Sequence, residues 1–196
     1  MDPQNQIASY IQQFITLTEE ESFHFSSKFE VVKVRKKQFI VQPNFTAKKR
    51  FYVVEGALRS FVVNESGQET TIALAINDWW ITDYNSYIFQ QPATMFVEAL
   101  KNSTLLELDF EKEQDLKKSN PKFETFFRII AERGLASQQR RIIMNLTKSA
   151  EERYTYFTDK YPQFLQHIPQ YALASYLGMT TEFLSKIRNN KVKGKS

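Results

Sequence analysis

The 196-residue chain has no cysteine and only two histidines, His24 and His167. The lack of thiols excludes disulfides, thiolate-held iron–sulfur clusters and cysteine-ligated haem. Two imidazoles far apart in sequence cannot supply a metal site built on several histidines. Glycine is scarce, with 5 residues, and no Gly-rich phosphate loop or G-x-S-x-G element occurs. No repeat or low-complexity segment is present. These gaps argue against the commoner enzyme classes, and a non-enzymatic role is expected. No run of 18 apolar residues exists, so no membrane span is expected. The N-terminus, Met1 to Tyr10, lacks a basic stretch followed by an apolar one, so no secretion signal is expected and the location is cytoplasmic. What the chain does have is 17 Phe residues, enough apolar mass for the cores of one large domain or two small ones.

The most informative stretch runs from Gln170 to Arg188. It reads as a helix, a tight turn and a second helix. Ala174 is small enough for two helices to cross closely. Gly178 can take the left-handed conformation that ends the first helix. Thr180 can cap the second, and Glu182 suits its positive end. Leu173, Leu177, Met179, Leu184 and Ile187 fill the apolar positions. This is the helix-turn-helix pattern that places a helix in the DNA major groove. A purely structural helical pair would share part of it. Charge separates the two. Residues 180–196 carry Lys186, Arg188, Lys191, Lys193 and Lys195 against Glu182, whereas the 21 basic and 21 acidic residues before them cancel. The whole net charge of +4 therefore sits on and after the second helix. A solvated basic tail would carry the same charge; motif and charge together favour phosphate-rich DNA.

Ahead of this motif the periodicity changes twice. Residues 5–16 place Ile7, Tyr10, Ile11, Phe14 and Ile15 at helical spacing, and Thr18 to Glu21 resembles a capping box. From Phe29 the period becomes two. Two strands are joined near Arg35 to Lys37, and further strands cover Phe51–Gly56, Ala57–Val63, Glu69–Ile76, Thr94–Leu100 and Ser103–Leu108. Asn64 to Gly67 is a hairpin signal, and residues 83–89 suit a short helix. Short strands at regular spacing predict a β-sandwich or small barrel. Helices return at 111–118 and, after Asn120-Pro121, as one long helix. Phe123, Phe127, Ile130, Gly134, Ser137, Arg141 and Met144 form one stripe on it. Ile129, Leu135, Ile142 and Leu146 form a second flank, more than one small domain can cover, so dimerisation along this helix is expected. A further helix from Glu151 breaks near Tyr161-Pro162.

A sandwich, a long helix and a C-terminal helix-turn-helix, in that order, resemble the Crp/Fnr superfamily of bacterial transcription regulators. Phe51 to Arg59, Gly67 to Thr71 and Asn77 to Trp80 look like that family's cyclic-nucleotide-binding sandwich, and Pro169 to Gly178 looks like its first DNA-binding helix. The resemblance implies an α+β fold: an N-terminal antiparallel β-sandwich or jelly roll with flanking helices over 1–118, a long dimerisation helix over 119–148, and a helix-turn-helix domain over 149–196. It also implies an effector pocket near Trp80, Thr82, Asp83, Tyr84, Ala93 and Thr94. The family's pocket pairs a glutamate with the ribose and an arginine with the cyclic phosphate. Here Thr82-Asp83 stands for the Gly-Glu pair and Ala93 for the arginine. A buried phosphate needs a countercharge, so cyclic AMP is not the expected cofactor. The pocket aromatics Trp79, Trp80, Tyr84, Tyr87 and Phe89 suit either another small molecule or a filled core.

The family's reading positions fall on Thr181, Glu182 and Lys186. Glu182 suits a cytosine amino group and Lys186 a guanine, whereas Thr181 cannot make the bidentate arginine contact. Thr180, Ser185, Arg188 and Lys191 are the expected phosphate contacts. The tail after Asn190 is too short for a full wing, so a truncated wing or basic arm is expected. The expected partners are double-stranded DNA, a second copy of the chain, RNA polymerase and a small effector. The rival expectation is a cupin-like sandwich, ligand-binding or enzymatic, with a helical protein-interaction domain.

Overall fold

In the computed structural model, which describes residues 2–193 with side chains through Asn190, helices and strands fall in three blocks. Two short helices lead, α1 (Pro3–Ile11) and α2 (Glu19–Ser26). The expected capping box is present at α2: Thr18 accepts from the Glu21 N–H, and the Glu21 carboxylate accepts from the Thr18 N–H at 2.8 Å. Eight strands follow: β1 (Glu30–Val34), β2 (Phe39–Val41), β3 (Lys49–Glu55), β4 (Ala57–Val63), β5 (Glu69–Ile76), β6 (Trp80–Ile81), β7 (Phe96–Ala99) and β8 (Ser103–Asp109), with α3 (Tyr84–Phe89) between β6 and β7.

The strands form two four-stranded antiparallel sheets, ordered β1-β8-β3-β6 and β2-β7-β4-β5. β1 and β2 are joined by the short link at Arg35 to Gln38, yet they lie in opposite sheets. That crossing closes the sandwich around a core of Val34, Val41, Phe51, Val53, Leu58, Ala75, Ile81, Val97 and Leu105. The β4–β5 hairpin forms where Asn64–Gly67 predicts it. Gly67 sits at φ +79°, and the Asn64 carboxamide oxygen accepts from the Gln68 N–H at 2.9 Å.

Two further cores lie outside the sandwich, one on each sheet. On the β3/β8 sheet, Tyr52, Val54, Leu106 and Leu108 meet Ile7, Ile11, Phe25 and Phe29 and the start of α5 (Pro121–Thr147). α4 (Phe110–Ser119) leads into α5, and Asn120 caps α5 by accepting from the Lys122 N–H, with Pro121 in the first turn. Phe123, Phe126 and Phe127 of α5 are buried there. Beyond Ile130 the helix loses this cover: Leu135 is 71 % exposed, Ile142 59 % and Leu146 80 %.

The third core joins the other sheet to the C-terminal helices. These are α6 (Ala150–Lys160), α7 (Phe164–His167), α8 (Gln170–Tyr176) and α9 (Thr181–Lys193). Ala57, Leu74, Ile76 and Leu100 of the sandwich share one apolar cluster with Phe157, Phe164, Ile168, Leu173, Leu177 and Ile187. The second helix of the motif runs three residues past Asn190, to Lys193. The expected truncated wing or basic arm falls on 194–196, outside the described residues.

Candidate nucleic-acid interface

The helix-turn-helix is built as its sequence pattern requires. Gly178 takes φ +68°, and the Met179 N–H turns back to the Ala174 carbonyl at 3.0 Å. Arg153 of α6 closes the end of α8: its Nε donates to the Leu177 carbonyl at 2.9 Å, where the helix presents unpaired acceptors. The Thr180 hydroxyl accepts from the Phe183 N–H at 3.1 Å and starts α9. Leu173, Ala174, Leu177, Leu184 and Ile187 are buried between the helices, and Met179 packs beside them.

α9 thereby turns a polar face outward. Glu182, Phe183, Lys186, Arg188, Asn189 and Asn190 are exposed, and Thr181 and Ser185 are half-buried. Glu182 and Lys186, four apart, share one face of the helix. Among the described residues, Glu182, Lys186 and Arg188 have no side-chain hydrogen-bond or ion-pair partner. The hydroxyls differ. Ser185 donates to the Thr181 carbonyl at 3.0 Å and receives the Gln170 carboxamide N–H, so both its bonding roles are filled within the domain. Thr180 accepts a cap bond and keeps its own proton free to donate. Lys191 lies in the last turns of α9, and its side chain is outside the described residues.

The positions matching a cyclic-nucleotide pocket have a different fate. Asp83 is fully buried and caps α3: one carboxylate oxygen accepts from the Ser86 N–H at 3.1 Å. The other accepts from the Thr94 and Met95 N–H groups at 2.9 and 3.2 Å. Its lone pairs are spent on three backbone donors. The Thr82 hydroxyl donates to the Lys49 carbonyl at 2.8 Å. Ala93 is buried, and its N–H and carbonyl pair with Phe45 and Asn44 at 3.0 Å each. The backbone of residues 44–46 thus lies against 92–93, where a phosphate would need an arginine.

Trp80, Tyr84 and Tyr87 gather around a residue the sequence did not flag. The Arg50 guanidinium lies 5.7, 5.4 and 5.0 Å from their ring centres and 5.3 Å from that of Phe127. Its Nε is 2.9 Å from the Glu113 carboxylate, which also accepts from the Tyr87 hydroxyl at 2.8 Å and pairs with Lys117 at 2.7 Å. Burial, with the Glu113 charge behind it, pushes the Tyr87 phenol well above the ordinary tyrosine range. Tyr87 is wholly buried in this charge-paired site, Trp80 is half-buried, and Tyr84 lies at its exposed rim. An open groove of about 490 Å³ lies beside β2, lined by Phe39, Phe45, Phe51 and Lys48 among others; none of the six expected pocket residues lines it, although its Phe45 and Lys49 bond Ala93 and Thr82.

Residues 31–120 match the family model of the cyclic nucleotide-binding domain. The regulatory protein HlyX of Actinobacillus pleuropneumoniae is 24% identical over 184 residues, which cover 88% of this chain and 76% of that protein. FixK2 from Bradyrhizobium japonicum superposes with a TM-score of 0.74 at 16% identity, over 85% of this chain and 86% of its own. The catabolite activator protein of Thermus thermophilus gives 0.58 at 20% identity, over 93% and 87%.

The chain shares the fold of these two solved structures, and the cyclic nucleotide-binding match covers its β-sandwich.

The sandwich and the C-terminal helices are tied together through Arg141 of α5. Its guanidinium donates to the Thr71 carbonyl at 2.9 Å, to the Tyr176 carbonyl at 3.1 Å and to the Ile72 carbonyl. It also stacks over the Tyr176 ring at 4.2 Å. The Ser175 hydroxyl accepts from the Thr71 N–H at 2.8 Å, so α8 satisfies the open edge of β5. Arg141 belongs to the helix stripe that the sequence assigns to packing. Its three carbonyl partners on β5 and α8 are not visible in any local pattern.

Proposed function

We propose that this protein is a dimeric transcription regulator that inserts two copies of α9 into successive major grooves of a palindromic promoter site. Three outward side chains carry the proposal: Glu182, Lys186 and Arg188 lie exposed and unpaired on a helix whose own core is complete. A solvated charge without a protein partner at the first turns of such a helix suits base edges and phosphates. Glu182 accepts from a cytosine amino group, Lys186 donates to a guanine, and Arg188, Lys191 and the free Thr180 proton hold phosphates. Leu135, Ile142, Ile143 and Leu146, exposed on one helix, are the surface that a second copy covers. In a dimer the reading helices stand about 34 Å apart, one turn of DNA.

The role is regulatory rather than catalytic, in the cytoplasm, with RNA polymerase as the downstream partner. Cyclic AMP is not its effector in this proposal, because Asp83 is consumed by backbone donors and Ala93 offers no charge. A different small molecule, held by the sandwich and shifting the long helices, would set the spacing of the reading heads.

The deciding experiment is selection of DNA fragments by the purified full chain. A palindrome with half-sites one helical turn apart is the expected result. Absence of any salt-sensitive binding to duplex DNA, with no genomic fragment competing, rejects the proposal. Calorimetry with cyclic AMP addresses the sensor separately: no heat is expected, and micromolar binding overturns that part.

A further inference from the structure

We propose that Phe183 is a specificity-determining residue of α9, and that its ring meets the 5-methyl group of a thymine adjacent to the base read by Glu182. This rests on the DNA-binding function proposed above. Phe183 is 40 % exposed, while Leu184 beside it is wholly buried and Ile187 is buried one turn on, so the domain closes its core without the whole ring. A large apolar side chain left in water forfeits its burial until something covers it.

The place of the ring says what covers it. The Phe183 N–H is held by the Thr180 hydroxyl, which fixes Phe183 in the first turn of α9. That turn of the second helix is the part of the motif that faces base edges. Thr181 shares the turn but is half-buried, with its carbonyl held by Ser185 and by Gln170 at 3.4 Å. Glu182 and Phe183 are thus the exposed side chains of that turn, and Lys186 stands three residues after Phe183 on a neighbouring part of the surface. The carboxylate and the ammonium select by hydrogen bonding. A phenyl ring has neither donor nor acceptor. The major-groove feature that it suits is the thymine methyl, the apolar group among the base edges. An aromatic edge beside a carboxylate then reads a cytosine and its neighbouring thymine as one unit.

The test uses the selected duplex and the full chain, replacing each thymine of the half-site in turn by uracil, which lacks only the methyl. Wild-type protein is expected to lose about fourfold in affinity per half-site at one position, the size of one buried methyl group. Phe183→Ser is expected to bind the thymine and uracil duplexes equally, with an unchanged salt slope, below its own unfolding midpoint. The inference is overturned if the wild type is indifferent to uracil everywhere while Lys186→Ala still weakens binding. It is equally overturned if Phe183→Ser keeps the methyl sensitivity. If no duplex is selected at all, the DNA-binding function itself fails, and the inference falls with it.

Discussion

The turn around Asp83 and the first turns of α9 both set charged side chains near the start of a helix, and they use them in opposite ways. Asp83 is buried and gives its carboxylate to three backbone N–H groups. Glu182 is exposed, four residues before an equally exposed Lys186. The first arrangement holds a chain together; the second leaves its bonding capacity for something outside. The Asp83 carboxylate has become part of the structure, and the outward face of α9 has stayed open. The contrast follows from hydrogen-bond accounting: a buried acceptor must be satisfied within the fold, whereas a solvated one is free to change partner.

Removing the carboxylate in Asp83→Ala gives the largest expected effect. Three backbone donors lose their acceptor in a buried site, at a cost of about 3 kcal/mol. Urea unfolding should show it as a lower midpoint, while the salt dependence of DNA binding by the folded fraction stays the same. A stability loss under about 0.5 kcal/mol, the size of an ordinary surface substitution, would mean that Asp83 does not hold the turn, and the contrast would collapse from the Asp83 side.

Lys186→Ala probes the other side. It should cost about 1–3 kcal/mol on a selected palindrome and leave the unfolding midpoint in place. An equal loss on every sequence, with a shallower salt slope, would reassign Lys186 from a base to a phosphate.

The same contrast explains what the sequence could and could not reveal. Patterns that are local in chain were legible. Period-two apolar runs gave the strands, Thr18 and Asn120 gave helix starts, and Gly178 gave the turn, because each is decided within a few residues. The sheet assignment of β1 and β2 was not legible, since their partners β8 and β7 lie far along the chain, at Ser103–Asp109 and Phe96–Ala99. The Arg50–Glu113 pair joins β3 to α4 across a similar distance. Arg141 reaches β5 and α8 at once, so a helix-face residue turns out to be the tie between the sandwich and the C-terminal helices. The helix start and turn of α9 were legible from the motif, but the engagement of Ser185 by Gln170 required the two helices to be packed.

Thr180 stands between the two cases, since its hydroxyl accepts a cap bond and keeps a proton free to donate. Thr180→Ala should therefore lower stability by about 1 kcal/mol and weaken DNA binding on all sequences alike. Thr180→Asp restores the cap acceptor and adds a charge that phosphate repels, so it should recover stability while binding DNA worse than the alanine variant. Recovery of both together would show that Thr180 serves only the fold.

The smallest effect concerns an acid that is exposed and yet engaged. Glu152, in the first turn of α6, accepts from the Ser149 N–H at 2.9 Å and pairs with Lys148 at 3.0 Å. The backbone bond to Ser149 leads in holding its carboxyl down to about 2, with Lys148 and the Ser149 hydroxyl adding to it, against an unfolded value of 4.5. A depressed folded value means that the capping box contributes fully above about pH 4.5 and loses its contribution as the pH falls toward about 2. Carboxyl titration by NMR on the full chain should find Glu152 ionised at about pH 3.5, between the two values. A midpoint near the unfolded value would show the box open in solution, and exposure alone, rather than engagement, would then separate the acids of this protein that recognise from those that hold.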